Sequence, residues 1–145
     1  MISVENICPN IKPKTRQIKE LTKRLLLEEG ILKAEINIVF VNDKYIIKLN
    51  QDYLDKDTTT DVLSFILTDE TDKHLEGEVY ANIEQIIRQT DDYHVSLEAE
   101  LSRVVIHGLL HLIGFNDQTD DEKQVMTEKE DHYLANLPSK ILKKG

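Results

Sequence analysis

The chain has 145 residues, 40% of them hydrophobic and 31% charged, which is the composition of one globular domain with a real core. Its single cysteine, Cys8, excludes an internal disulfide framework and fits a reducing compartment. No stretch reaches the ~20 apolar residues of a membrane span, and Met1–Asn10 has no secretory leader pattern, so we expect a cytoplasmic protein. The formal net charge of −9 weakens nonspecific attraction to phosphate but leaves local binding of nucleic acid open.

The first part of the chain predicts a strand followed by an amphipathic helix. Residues 2–7 begin with alternating apolar side chains, and residues 13–29 have helical spacing, which puts Ile18, Leu21 and Leu25 on one face. Four cations form a stripe on the opposite side: Lys12, Arg16, Lys19 and Lys23. Such a stripe is usually a solvated helix face, and the alternative is a surface that binds RNA.

Strands and one helix make up the middle of the chain. Residues 35–41 are β-branched and aromatic, which is typical of a central strand. Asn42 can cap the helix that follows. Residues 61–67 and 77–82 predict the third and fourth strands, and the mostly polar stretch 68–76 between them is expected to be a mobile hairpin connection.

Three helices are predicted in the rest of the chain. One starts at Ile83, a second is capped by Ser96, and a third opens with the capping-box pair Thr119 and Glu122. The basic tail, residues 140–145, is expected to fray. The order β-α-β-α-β-β-α-α-α, with helices clustered at one end, predicts a single domain of the α+β class.

The second of these helices carries two histidines within an apolar stretch. His107 and His111 are four residues apart, so both lie on one helix face. Gly114 can end the helix in the left-handed conformation, and the turn can then bring Asp117 back toward the imidazoles. Two imidazoles and one carboxylate form a three-ligand zinc site that leaves the fourth position to water. The same donor set suits non-haem iron, so the native metal stays open.

Two other interpretations of these residues carry less weight. A buried histidine is often only bonded to a carbonyl, but two at this spacing, with a terminal glycine and a carboxylate, favour a metal site. Zinc proteases place a glutamate directly after the first histidine as general base, and here that position is Gly108. Ser64 has no local partner that would act as its base, so we do not interpret it as a nucleophile.

The stretch from His107 to Asp117 resembles the metal motif of the YbeY-type endoribonucleases, H-G-x-L-H-L-x-G-[YF]-[DN]-[HD]. Three further motifs are similar and stand in the same order: residues 60–65 (TDVLSF) to T-[DN]-V-L-S-F, residues 49–53 (LNQDY) to L-N-x-x-Y, and residues 77–79 (GEV) to G-D-I. Met126 and Glu130 also fit a family pattern, although we assign Met126 to packing. The resemblance spans approximately residues 35–133.

The resemblance implies a four-stranded mixed sheet packed against the metal helix. It also implies a single-strand-specific, zinc-dependent endoribonuclease that processes the 3′ end of small-subunit ribosomal RNA and acts in ribosome quality control. RNA or the small subunit would be the partner, with no DNA or membrane. Two positions depart from the family: the third ligand, usually histidine, is Asp117, and an arginine proposed to act at the phosphate is Leu54. Lys56, which matches a family lysine, is the nearest cation that could replace it.

Three functions stay open at this point. The preferred one is hydrolysis of an RNA phosphodiester, with either water or the ribose 2′-hydroxyl as the attacking group. The second is another metallohydrolase such as a protease, against which Gly108 argues. The third is a noncatalytic ribosome-associated protein with a structural metal, although structural zinc sites normally have four protein ligands.

Overall fold

The structure is a computed structural model that describes residues 1–69, 74–137 and 141. Its elements follow the predicted order: β1 (Ile2–Asn6), α1 (Thr15–Glu28), β2 (Ala34–Val41), α2 (Asp43–Leu54), β3 (Val62–Ile66), β4 (Leu75–Asn82), α3 (Ile83–Tyr93), α4 (Leu97–Leu112) and α5 (Asp120–Ala135). The predicted α+β class is confirmed, and β1, α1 and β3 are slightly shorter than expected. None of the described helices is long and apolar enough to cross a membrane.

The connection between β3 and β4 is shorter than predicted. β4 begins at Leu75, whose N–H donates to the Lys33 carbonyl at 3.0 Å, so its pairing with β2 starts before Gly77. The last residues of the predicted loop, Leu75 and Glu76, therefore belong to β4. Residues 70–73, at the centre of that loop, and residues 140 and 142–145 of the predicted frayed tail lie outside the described residues.

The four strands form one mixed sheet in the order β1-β2-β4-β3. β1, β2 and β4 run parallel, and β3 pairs antiparallel with β4 at one edge. The register places Ile38 of β2 beside Val4 on one side and Val79 on the other. β2 is thus a central strand, as its β-branched and aromatic sequence predicts.

The two faces of the sheet are covered by different helices. Alternate residues of β2, such as Ile38 and Phe40, point into the larger core with side chains of α1, α3, α4 and α5. The intervening residues Val39 and Val41 point to the other face, where they pack with Ile46 of α2. The long helix α4 lies on the larger-core face, against β3 and β4 and between α3 and α5.

Two glycines let α4 lie unusually close to the sheet. A Cβ atom at Gly108 of α4 would come within 2.7 Å of Val79 Cγ1 and 2.9 Å of Val62 Cγ2. A Cβ atom at Gly77 of β4 would come within 2.8 Å of Leu112 Cδ2. Ser64 adds a hydrogen bond of 2.8 Å from its hydroxyl to the Gly108 carbonyl. At both glycines an added side chain would force a neighbouring side chain to shift, so the position of α4 over β3 and β4 depends on this close packing.

An ion-pair network fixes the loop that leads into β3. Asp43, at the start of α2, accepts two hydrogen bonds of 2.8 Å from the Arg88 guanidinium and one each from Asn82 (2.7 Å) and Thr59 (2.9 Å). These bonds, led by those from Arg88, hold the pKa of the Asp43 carboxyl well below its usual range. The network joins α2 and α3 to the chain just before β3.

Candidate metal centre

The ends of α4 follow from local sequence. The Ser96 hydroxyl accepts a hydrogen bond of 3.1 Å from the Ala99 N–H, which caps the first turn as predicted. The helix ends at Leu112, and Gly114 has φ of +104°, a conformation that favours glycine. Its N–H donates to the His111 carbonyl at 3.1 Å. The chain reverses there, which brings Asp117 back beside the helix.

Three predicted ligand atoms converge at this place. His107 Nε2 lies 3.3 Å from Asp117 Oδ2, His111 Nε2 lies 3.5 Å from the same oxygen, and the two nitrogens are 2.9 Å apart. Zinc ligands at about 2.0–2.2 Å from a tetrahedral ion are separated from one another by roughly 3.3–3.6 Å. The two distances to Asp117 lie in this range, and the imidazole nitrogens are a few tenths of an ångström closer, so a small outward movement of the rings would let the three groups hold a divalent transition metal. In the part of the chain that the structure describes, this is the only such cluster.

The ring nitrogen of His107 that points away from the cluster contacts a carboxylate. Its Nδ1 lies 2.6 Å from Oε2 of Glu130, a residue of α5 whose side chain is 9% exposed. Burial alone would lower the pKa of His107, but the hydrogen bond to Glu130 and the charges of Glu130 and Asp117 outweigh it and raise the pKa above its usual value. The carboxylates beside His107 therefore favour a positive charge on or near its ring, and a metal ion would compete with a proton for the imidazole nitrogen.

Arg103 completes this arrangement and was not predicted. One guanidinium nitrogen donates to Glu130 Oε1 and the other to Asp131 Oδ1, each at 2.8 Å. The available signal was spacing, since Arg103, His107 and His111 recur every four residues along one face of α4. Glu130 had been noted only for its fit to a family pattern. Its contact with His107 spans 23 positions in the sequence.

The predicted cation Lys56 lies in the loop that follows α2. Leu54 ends α2 with its side chain 43% exposed, and Asp55 then adopts a left-handed conformation. Lys56 follows in an exposed loop, where its N–H donates to the Asn50 carbonyl at 3.1 Å. Among residues 1–69, 74–137 and 141, no hydrogen bond or ion pair joins its ammonium to the histidines. Its catalytic role stays a prediction.

The basic stripe lies on the exposed side of α1. Because the helix begins at Thr15, Lys12 precedes it, and the other three cations lie on the helix itself. Arg16, whose side chain is 87% exposed, forms an ion pair of 3.6 Å with Glu20. Lys23 is exposed and Lys19 is half-buried. The stripe shares no described contact with the histidine cluster, so its role in RNA binding also stays a prediction.

The chain is similar to known proteins over most of its length. Residues 3–138 match the family model described as endoribonuclease YbeY. A relative of that name from Flavobacterium psychrophilum is 42% identical over 112 residues, which cover 76% of this chain and 77% of the relative. Another, from Salinibacter ruber, is 34% identical over 146 residues and is matched over 95% of this chain and 93% of its own length.

A solved structure is similar as well. The solution structure of TM1509 from Thermotoga maritima matches with a TM-score of 0.65 and 28% identity, over 94% of this chain and 89% of that protein. The family model, the relatives and this structural match span the sheet, α4 and the turn that carries Asp117. The chain belongs to the endoribonuclease YbeY family.

Proposed function

We propose that this protein is a metal-dependent endoribonuclease that cleaves single-stranded segments of ribosomal RNA, including the 3′ end of small-subunit RNA. The observation that carries the proposal is the convergence of His107, His111 and Asp117, whose ligand atoms lie 2.9–3.5 Å apart. Family membership supports RNA as the substrate. The family resemblance supports the small ribosomal subunit as partner, and the single cysteine supports a reducing compartment, the cytoplasm, as location.

His107, His111 and Asp117 would hold one ion, for which zinc is the first choice. The donor set of two nitrogens and one oxygen is common in catalytic zinc sites, and non-haem iron uses it too. An ion held by three protein ligands supplies two kinds of chemistry: it lowers the pKa of a coordinated water and polarises a phosphoryl oxygen.

The remaining chemistry belongs to side chains of this protein. His107 is turned so that Nδ1 meets Glu130 and Nε2 faces the ligand cluster. Asp117 uses one oxygen toward both imidazoles. Its second oxygen is suited to accept the proton that leaves the attacking oxygen, whether that oxygen belongs to water or to the ribose 2′-hydroxyl.

Positive charge for the phosphate would come from lysine in this protein. Leu54 occupies the position of the family arginine, so that position offers no cation. The exposed ammonium of Lys56 is the nearest replacement along the chain. A second source of positive charge is the basic stripe on α1, formed by Lys12, Arg16, Lys19 and Lys23. It would bind the RNA backbone at a distance from the cleaved phosphate, since a local positive surface can attract phosphate despite a negative net charge.

Protease activity is disfavoured by the packing of α4. The residue after His107 faces the sheet, and Val62 and Val79 fill the space that a side chain at Gly108 would need. A general base therefore has no room at the position that zinc proteases use. The alternative of a noncatalytic ribosome-associated protein is favoured by one feature, the leucine at position 54 in place of the family arginine. Against it, three protein ligands are typical of catalytic zinc sites, whereas structural sites use four.

The deciding experiment combines metal analysis with a cleavage assay on one purified sample. We expect about one zinc or other divalent metal per chain, chelator-sensitive cleavage of single-stranded RNA, and recovery when zinc is returned. Casein incubated in parallel should stay intact. RNA cleavage that persists in verified metal-free protein would contradict the proposal, and a metal-loaded protein without cleavage would favour the noncatalytic alternative.

A further inference from the structure

The cluster is not symmetric, because one of its two histidines is anchored and the other is not. The second ring nitrogen of His107 is bonded to Glu130 at 2.6 Å. The corresponding nitrogen of His111 has no hydrogen-bond partner among the residues that the structure describes. We infer that Glu130, itself clamped by Arg103, is a positioning residue that fixes the His107 ring as the rigid ligand of the metal centre. This inference rests on the proposed metal site.

Glu130 has both carboxylate oxygens engaged. Oε2 meets His107 Nδ1, and Oε1 accepts a bond of 2.8 Å from the Arg103 guanidinium. The side chain is 9% exposed, so little solvent competes for either oxygen. Because both oxygens are bonded, the carboxylate cannot rotate without breaking a charge-assisted hydrogen bond. Such bonds are stronger than hydrogen bonds between neutral groups.

The Glu130 contact determines which nitrogen of His107 can bind metal. A carboxylate accepts a hydrogen bond and cannot donate one, so Nδ1 must carry the proton. The lone pair is then on Nε2, the atom that lies 3.3 Å from Asp117 Oδ2. A carboxylate behind a ligating histidine fixes the ring orientation and increases its basicity, which strengthens metal binding.

Arg103 joins this unit from the same helix as the histidines. It lies one turn before His107 on α4, while its two partners, Glu130 and Asp131, are on α5. The guanidinium thereby holds α5 in register with the metal-binding face of α4. Asp131 is 61% exposed and makes no described contact with either histidine, so it is a solvent-exposed partner of Arg103 that lies outside the contact between Glu130 and His107.

Zinc affinity of four proteins tests the inference: the parent, Glu130→Gln, Arg103→Met and Asp131→Asn. Glutamine keeps the shape of Glu130 but has one acceptor atom, so it cannot serve both His107 and Arg103. We expect Glu130→Gln to weaken zinc binding by about 10- to 100-fold, measured by competition with a chromophoric chelator. Arg103→Met should weaken it less. Asp131→Asn removes a negative charge beside the same arginine but keeps an acceptor oxygen, so its zinc affinity should match that of the parent.

A second readout separates positioning from a general loss of structure. In the zinc-loaded parent we expect the His107 Nδ1 proton to resonate downfield and to exchange slowly with water, because it is bonded to a buried carboxylate. In Glu130→Gln the resonance should move upfield or broaden. Melting of the metal-free proteins, followed by circular dichroism, shows whether each variant folds.

The outcomes are distinguishable. A folded Glu130→Gln that binds zinc as tightly as the parent overturns the inference and leaves the proposed site intact. Equal weakening by Asp131→Asn also overturns it, since that pattern would reflect loss of charge near the site. A parent that binds neither zinc nor another divalent ion overturns the proposed metal centre and the inference with it.

Discussion

The histidine cluster on α4 and the basic stripe on α1 are the same kind of pattern in the sequence, since each repeats one chemistry along a helix face. In the structure they are very different. The histidines of α4 meet Asp117 from the following turn and Glu130 from α5, all within 3.5 Å. On α1, Arg16 and Lys23 are exposed and Lys19 is half-buried, and among the described residues the ion pair that Arg16 forms is with its neighbour Glu20.

The difference shows what helical spacing can and cannot establish. Spacing puts side chains on one face, but a site forms only where a second segment of chain brings complementary atoms to that face. On α4 the Gly114 turn and α5 do so, whereas on α1 the described residues offer no such segment. We therefore expect changes in the cluster to have large, specific effects, and changes in the stripe to have small, additive ones.

The largest effect is expected from removal of a histidine. His107→Ala and His111→Ala should each lose the metal and reduce RNA cleavage to the level of chelated protein. His107→Ala should also lower the free energy of unfolding by about 1–3 kcal/mol, because it strips a buried partner from Glu130. His111→Ala should cost less. Metal analysis, the cleavage assay and urea denaturation provide the readouts.

If both histidine variants retained stoichiometric metal, His107 and His111 would not be its ligands. The histidine cluster would then be, like the basic stripe, a repeated helix pattern without a binding site. An equal loss of stability in the two variants would instead argue that Glu130 does not depend on His107.

Asp117 tests whether the turn after α4 contributes a ligand. Asp117→Ala should bind metal weakly, whereas Asp117→His should keep it, since imidazole is an equally acceptable zinc ligand and is the common family residue here. Metal content after dialysis against a weak chelator measures the difference. Tight binding by Asp117→Ala would place the third ligand elsewhere, with Asn116, Asp120 and Asp121 the next positions to examine.

Gly108→Ala tests the packing that supports the cluster. Alanine favours a helix interior over glycine by about 1 kcal/mol, so an exposed site would gain stability. At Gly108 the added methyl meets Val62 and Val79 at under 3 Å, and overpacking of this kind costs about 1–3 kcal/mol. We expect a net loss in urea denaturation.

Val62→Ala supplies the control for that loss. If crowding is the cause, the double variant Gly108→Ala/Val62→Ala should be more stable than the sum of the two single changes predicts. Strict additivity would show that the loss comes from something other than contact with β3.

The smallest effect is expected from the stripe. Lys19→Gln/Lys23→Gln should flatten the dependence of RNA affinity on salt by about 0.7 in logarithmic slope for each lost phosphate contact. Lys44→Gln/Lys48→Gln on α2 removes the same charge and serves as the control. Titrations of labelled single-stranded RNA at several salt concentrations measure both. Equal slopes for the two double variants would mean that α1 has no special role and that its stripe is an ordinary solvated face.

Sequence was sufficient for the features that depend on neighbouring residues. The Ser96 and Thr119 caps, the Gly114 turn and the order of elements were predicted correctly, because capping bonds and hydrophobic periodicity act over a few residues. The convergence of the three ligand side chains was foreseen for the same reason, since His107 and Asp117 are only ten positions apart.

The remaining features depend on contacts between distant segments. Arg103 meets Glu130 across 27 positions, and Gly108 meets Val62 and Val79 across the interface between α4 and the sheet. The sequence around Gly108 does not show whether tight packing requires glycine at this position or whether a larger residue would fit there equally well. The strand order β1-β2-β4-β3 likewise arises from pairing that a single sequence does not display.

The space missing at Gly108 has an evolutionary consequence. A descendant of this protein could acquire the glutamate of a zinc protease by a short change in its gene, yet the carboxylate would be driven into Val62 and Val79. These side chains would have to shift or be replaced by smaller ones, and such changes would weaken the packing of the core. Crowding between α4 and one strand pair would therefore oppose a change from this hydrolase to a zinc protease, although histidine and carboxylate ligands are common to both kinds of metal site.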